Sequence, residues 1–375
     1  MRILTRRLSL RVPAATAMLV GCLALPGSAQ EPHDVPAPQD EANVEDLSPP
    51  PRLLLRGFGN IDYRYEDGEL PNTFVLGQLD LFMTSELAED VSVLAEIVFE
   101  AQPGEEERII DVERYEIKYS PHDAFNVALG RMHTILGFWN QAYHHGTWFQ
   151  TTAARPEIYR FEDESGVLPI HEVGLRVFGA QSLPGLRLHY AASLTNGRAA
   201  DASQVITVQD QNDHKAVNLW LGVSPKATPG FQFGGVFHGD RIPPDPNAPR
   251  RENEMAERIW GGFAVYQKAP LELLSEAFKV RHEDRVTSEV FDTTGLYAQA
   301  AYAVGKFKPY YRYDRVRGVG KDPYYPTSVR DSNKHTLGVR FDPRDRLALK
   351  LDLSRDRPHP GATISAVALQ AAVTF

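Results

Sequence analysis

Leu347-Ala348-Leu349-Lys350-Leu351-Asp352-Leu353 carries leucine at every odd position, with Ala, Lys and Asp between. A β-strand turns successive side chains to opposite faces, so this run has one greasy face and one wet face. Similar alternation recurs at Leu53 to Tyr65, Val75 to Met83, Val91 to Phe99, Tyr115 to Tyr119, Phe125 to Leu129 and Val173 to Val177. It continues at Leu186 to Leu194, Val217 to Val223, Phe231 to Phe237, Ile259 to Val265 and Leu271 to Lys279. The last runs are Leu296 to Val304, Phe307 to Tyr313, His335 to Phe341 and Val367 to Phe375. The pattern predicts about sixteen strands and an all-β fold.

Alternation alone does not separate a soluble sandwich, which hides its apolar face against a second sheet, from a barrel that turns that face to lipid. The connections do. Glu86–Asp90, Pro121–Ala124, Gln181–Gly185, Pro225–Gly230, Lys268–Pro270, Gly305–Lys306 and Pro343–Arg346 are short turns. Longer polar loops lie between them: Glu66–Asn72, Ala101–Glu107, Arg131–Pro169, Gly197–His214, Asp240–Ala256, Glu283–Asp292, Arg317–Asn333 and Arg355–Gly361. Short turns on one side and long loops on the other are the plan of a transmembrane antiparallel β-barrel in an outer membrane.

The beginning of the chain agrees. Arg2, Arg6, Arg7 and Arg11 precede the apolar run Ala14 to Leu25 and the small residues Gly27-Ser28-Ala29. This predicts a signal peptide over 1–29, cut after Ala29. Leu19-Val20-Gly21-Cys22 also resembles a lipobox, a rival reading in which Cys22 is acylated. Cys22 is the only cysteine. Cleavage after Ala29 therefore leaves no disulfide, Cys-based metal site or Cys nucleophile. Removing the four leader arginines takes the formal charge from −9 to −13, which argues against nucleic-acid binding. No later stretch approaches eighteen apolar residues, so helical membrane spans are excluded. Residues 30–51 are acidic and Pro-rich, and read as a disordered periplasmic lead-in to a barrel over 52–375.

At the other end, Leu369, Ala371, Val373 and Phe375 share one strand face. This resembles the terminal strand of outer-membrane barrel proteins, whose last aromatic is the signal read by the barrel-assembly machinery. Physically, the last strand must pair with the first, because an open edge cannot sit in lipid. With Phe375 on the periplasmic side, the long loops lie outside. Phe125, Phe231 and Phe307 then gather near the periplasm, and Tyr65, Phe99, Phe237 and Tyr313 near the exterior, as two aromatic girdles.

Arg131–Pro169 is the longest connection and follows the fifth strand. Here the chain resembles the sixteen-stranded porin superfamily over about Arg52 to Phe375. That resemblance implies a third loop folded into the lumen as a constriction, a homotrimer in outer-membrane lipid and lipopolysaccharide, and passive diffusion of small hydrophilic or ionic solutes. It implies no cofactor. In general porins, acids on the loop oppose a basic cluster on the wall. The candidates on this loop are Glu157, Glu162, Asp163 and Glu164. Alternation puts Arg56, Arg64, Arg114, Lys118, Arg176, Arg187, Lys308, Arg312, Arg340 and Lys350 on the lumen side. Charged rings at a narrow point filter by sign. The wall also carries Asp62, Asp80, Glu96, Glu100, Glu116, Glu172, Asp314, Asp342 and Asp352. A phosphate- or anion-selective channel remains an option that this mixture does not favour.

Other chemistry is weaker. His133, His144, His145 and His171, with Glu162 and Asp163, have the atoms for Zn or Cu. Adjacent histidines on extended backbone point apart, however, so hydrogen bonds that pin the loop are the expected role and no metal is assigned. Phe138, Trp139, Trp148 and Phe149 are expected to pack the loop against the wall rather than stack on sugars. Ser165 with His171, and Ser193 with His189, are the only hints of a hydrolase and carry no motif, so no catalytic residue is assigned. A plugged structural barrel is the third alternative.

Overall fold

The computed structural model describes residues 52–67, 72–101, 108–204 and 209–375. The expected signal peptide, Cys22 and the lead-in lie outside them. Seventeen strand segments make sixteen staves, because Thr73–Val75 and Gln78–Glu86 lie one after the other against the first strand. The strands are β1 (Arg52–Glu66), β2 (Thr73–Val75 and Gln78–Glu86), β3 (Val91–Ala101) and β4 (Arg108–His122). Next come β5 (Phe125–His133), β6 (His171–Leu183), β7 (Leu186–Asn196) and β8 (Lys215–Pro225). Then follow β9 (Phe231–Ile242), β10 (Met255–Lys268), β11 (Leu271–Asp284) and β12 (Val290–Tyr302). The last are β13 (Phe307–Arg317), β14 (Ser332–Arg344), β15 (Leu347–Asp356) and β16 (Ile364–Thr374). All sixteen expected strands are present.

Each strand pairs antiparallel with its sequence neighbours, and β16 returns to β1 from Phe58↔Thr374 to Glu66↔Ala366. The closed barrel has no free edge, which is what lets strands cross lipid. The seam ends at the last residue: Phe375 N donates to Gly57 O at 2.9 Å and Gly57 N to Phe375 O at 3.0 Å. Gly57 is required there, since a Cβ would meet the Phe375 ring at 2.4 Å and Asp80 O at 2.8 Å.

The faces of β15 are inverted relative to a soluble protein. Leu349 and Leu353 are 40% and 47% exposed, whereas Lys350 and Asp352 are 3% exposed. Lipid is the medium that suits such an outer surface. The aromatics Phe125 and Phe307 are exposed at the short-turn end, and Tyr65 and Phe99 at the other.

The expectation that every strand turns its apolar face outward fails on part of the circumference. On β10, Ile259, Phe263 and Val265 are buried while Arg258, Trp260 and Ala264 are exposed. Leu274, Phe278 and Val280 of β11 and Tyr297 of β12 are also buried. The cover is residues 134–170, between β5 and β6. Leu136, Trp139, Ile158, Tyr159, Val167 and Leu168 of this loop join those wall residues in one apolar core inside the barrel. Buried aromatic and aliphatic side chains of this size contribute about 1.5–3 kcal/mol each, so the loop is held as a folded layer.

Candidate functional site

The loop begins with a short helix, α1 (Trp139–Ala142). Glu276 of β11 accepts from Phe138 N at 2.7 Å, Trp139 N at 2.8 Å, and the hydroxyls of Tyr159 and Tyr297 at 2.8 Å each. Gly137 adopts φ +78°, and a Cβ there would strike Glu276 Oε2 and the Tyr159 hydroxyl at 2.0 Å. The aromatics pack as expected. Trp139 stacks on Tyr159 at 5.3 Å, Phe138 lies against Phe263, and Trp148 lies under the Arg340 guanidinium.

Four of the ten wall cations converge on loop residues 147–155. Arg312 donates to Thr152 Oγ1 (2.9 Å), Ala154 O (2.7 Å) and Arg155 O (2.9 Å), and to Asp314 (2.8 Å). Arg340 donates to Trp148 O (2.7 Å) and Gln150 O (2.9 Å). Lys350 reaches Thr147 O, Thr152 O and Gln370 Oε1. Lys308 bridges Thr151 Oγ1 (2.9 Å) and Glu272 Oε2 (2.7 Å). Arg312, Arg340 and Lys350 satisfy main-chain carbonyls of an irregular segment, whose burial unpaired would be costly, and Lys308 holds a hydroxyl of the same segment. Asp352 returns the favour, accepting from Ala153 N and Ala154 N at 3.3 Å.

The other six stand apart from this group. Arg64 pairs with Asp62 at 2.7 Å, Arg114 with Glu96, and Arg176 with Glu172. Arg187 is exposed, 3.8 Å from Asp123 at a short turn. Arg56 is exposed and Lys118 half-buried.

Among the loop acids, Glu157 forms an ion pair with Lys334 of β14 at 2.7 Å, and its backbone N–H donates to Asp314 at 3.1 Å. Asp163 and Glu164 are exposed, and Glu162 is buried, accepting from Ile170 N at 2.9 Å. The wall bases thus meet loop carbonyls more than loop carboxylates. Burial would raise the Glu157 pKa, but Lys334 and Arg160 outweigh it and bring it to about 2. A depressed carboxylate contributes stability above its ordinary value of 4.5, and that contribution is lost as pH falls through about 2. Tryptophan fluorescence is expected to hold steady down to about pH 4 and to change between there and pH 2. Glu157→Gln should remove that transition.

Residues that alternation did not single out matter here. Lys334 shares the even-numbered face of Arg340, so its signal was legible. Glu113 had none. Glu96 pairs with Arg114 and Ile97 with Val112, so Glu113 is the extra residue of a β-bulge. A bulge re-aims a side chain, and this one buries Glu113 inside. His144 and His145 also depart from the expectation that neighbours diverge. The backbone at His144 has φ +30°, not an extended value, and both rings turn to the same side with centroids 4.7 Å apart. His133 stacks on His144 at 3.6 Å. All four loop-end histidines approach Glu113 Oε1.

The hydrolase pairs do not assemble. Ser165 bonds Ser328 and Ser193 bonds Glu172, while His171 joins the Glu113 cluster and His189 meets Ser224.

Between the loop and the wall of β1 and β14–β16 lies a cavity of about 640 Å3. Asp62, Arg64, Glu157, Glu164, Lys334 and Asp352 are among the residues that line it. A closed sixteen-stave barrel with an infolded loop after β5 and a charged cavity beside it leaves one architecture.

The fold is that of the outer-membrane porins. The chain is similar to an anion-selective porin from Comamonas acidovorans, with TM-score 0.60 and 12% identity over 87% of this chain and 100% of that one. It is similar to the outer membrane channel DcaP of Acinetobacter baumannii, with TM-score 0.59 and 12% identity over 87% and 97%. OmpT, an outer membrane protein of Vibrio cholerae, is similar in a loop-deletion form, with TM-score 0.57 and 10% identity over 87% and 99%. No protein-family model and no curated protein sequence matches the chain. The likeness to these proteins is one of fold.

Proposed function

We propose that the chain is an outer-membrane porin that passes small hydrophilic or ionic solutes by passive diffusion and catalyses no reaction. The observation that carries this reading is the 640 Å3 cavity beside the infolded loop, lined by charges of both signs. Water-filled space with polar walls inside a barrel is what diffusion of hydrophilic solutes needs. Phosphate or anion selectivity is disfavoured, because Arg312, Arg340 and Lys350 are occupied by the loop and present no open basic ladder. Assembly as a homotrimer in lipid and lipopolysaccharide, after recognition of Phe375 by the barrel-assembly machinery, completes the proposal.

Purified protein added to a planar bilayer is expected to give discrete conductance steps. In a salt gradient the reversal potential should show a preference for cations, because acids outnumber bases in the lining. Folded protein, shown by its heat-shifted gel band, that gives no steps would sink the reading in favour of a plugged structural barrel. Hydrolase activity lost on changing one Ser or His would favour the enzyme reading.

A further inference from the structure

Behind the loop, three imidazoles and one carboxylate aim at a common point. His144, His145 and His171 place Nε2 at 2.8, 3.2 and 2.7 Å from Glu113 Oε1, and His144 Nε2 is 3.0 Å from His171 Nε2. All four side chains are buried.

The far sides of two rings fix one hydrogen on each. Asn140 spends Nδ2 on Thr134 O (2.9 Å) and Ile170 O (2.8 Å), so the atom 2.7 Å from His144 Nδ1 is its carbonyl oxygen. Gln78 spends Nε2 on His145 O, so its Oε1 faces His145 Nδ1 at 2.9 Å. Each Nδ1 therefore carries a hydrogen, which leaves Nε2 as the atom that holds either a second proton or a metal. His171 Nδ1 faces Glu162 Oε2 at 3.4 Å. An oxygen acceptor behind each imidazole is the arrangement that orients metal-binding histidines.

Four such atoms packed this closely need positive charge among them, as protons on the rings or as a bound cation. The nearest guanidinium does not serve, since Arg131 approaches the other carboxylate oxygen, Oε2, at 3.7 Å. Nearby Asp80 is fully buried, and neither of its carboxylate oxygens has a hydrogen-bond partner among the described residues. A second cluster shows the contrast. His238 and His282 flank Glu257 at 3.1 and 2.9 Å, but Arg198 at 3.0 Å already supplies the positive charge.

We propose that Glu113, His144, His145 and His171 form a four-coordinate site for a divalent first-row transition ion of the zinc type. Bonds of about 2.0–2.1 Å imply tetrahedral edges of roughly 3.3–3.4 Å, so the ligand atoms need to open only slightly. The ligands come from β4, the loop and β6. The ion ties the loop to the wall on the side opposite the Lys308–Lys350 group. With every position taken by protein, it is a structural rather than a catalytic site.

Full-length protein in detergent, stripped with EDTA and shown folded by its heat-shifted band, is titrated with zinc sulfate and separately with cobalt chloride. The expected result is one zinc per chain, a higher unfolding temperature, and the intense visible bands of tetrahedral Co2+, which zinc abolishes. His145→Ala should lose those bands and more than about a hundredfold in zinc affinity, beyond what loss of an outer partner costs. His282→Ala, in the second cluster, should keep both. Folded wild-type protein that binds no zinc, or shows only the weak bands of octahedral cobalt, overturns the proposal whether or not any variant folds. So does a His145→Ala protein with the full cobalt spectrum.

Discussion

Replacing Arg312 with alanine is expected to free loop residues 152–155 and raise the single-channel conductance markedly. Arg312 is fully buried and holds Thr152, Ala154 and Arg155 while pairing with Asp314. Removing it leaves Asp314 buried beside no guanidinium, and breaking such a pair costs about 3–5 kcal/mol. That cost falls on the loop, because the ladders of β13 to β12 and β14 are main-chain bonds that the substitution leaves in place. The heat-shifted band should survive while protease gains access to the segment. Arg312→Lys should be intermediate, keeping the charge but not the fork of donors. Unchanged conductance in a folded Arg312→Ala barrel would show that the segment holds without this anchor.

Glu276→Leu is expected to be the most destabilising single change within the loop's foundations. Three donors lose their acceptor at once, two backbone N–H groups at the start of α1 and the buried phenol of Tyr297, while the Tyr159 hydroxyl keeps Leu136 O at 3.0 Å. Each buried donor left unpaired costs about 1–3 kcal/mol. Leucine matches the apolar surroundings but offers no oxygen. The expected readout is a lower unfolding temperature, with emission from Trp139, now buried against Tyr159, shifting to the red. Glu276→Gln keeps one acceptor oxygen and should recover part of the loss. A Leu variant as stable as the parent would mean that the loop's apolar core carries it alone.

The staves were legible because a strand in lipid writes its environment into every second residue. Leu347 to Leu353 alternates cleanly, since lipid selects one face and the lumen the other. The inner wall was less legible for the same reason. Ile259, Phe263 and Val265 alternate as well as any lipid-facing set, and only the loop, distant in sequence, turns their side into an interior. Glu113 was hidden by the bulge, which breaks the period for one residue and leaves no mark in composition. The convergence of His144 and His145 depends on one positive φ that an extended reading of the loop misses. Lys308, Arg312, Arg340 and Lys350 were placed on the correct face by period alone. What they bind was not, because the carbonyls and hydroxyls that an irregular loop turns to the wall have no sequence signature.

His133 and His171 stand opposite each other on the last rung of β5 and β6. Everything between them departs from that rung and comes back to it. The insert therefore behaves as a cassette: its ends are clamped by the hairpin, and the entropy of closing a loop grows only slowly with its length. Its length and content are free to vary over evolutionary time, or in an engineer's hands, without shifting the register of any neighbouring strand. One barrel scaffold can in this way carry different inserts.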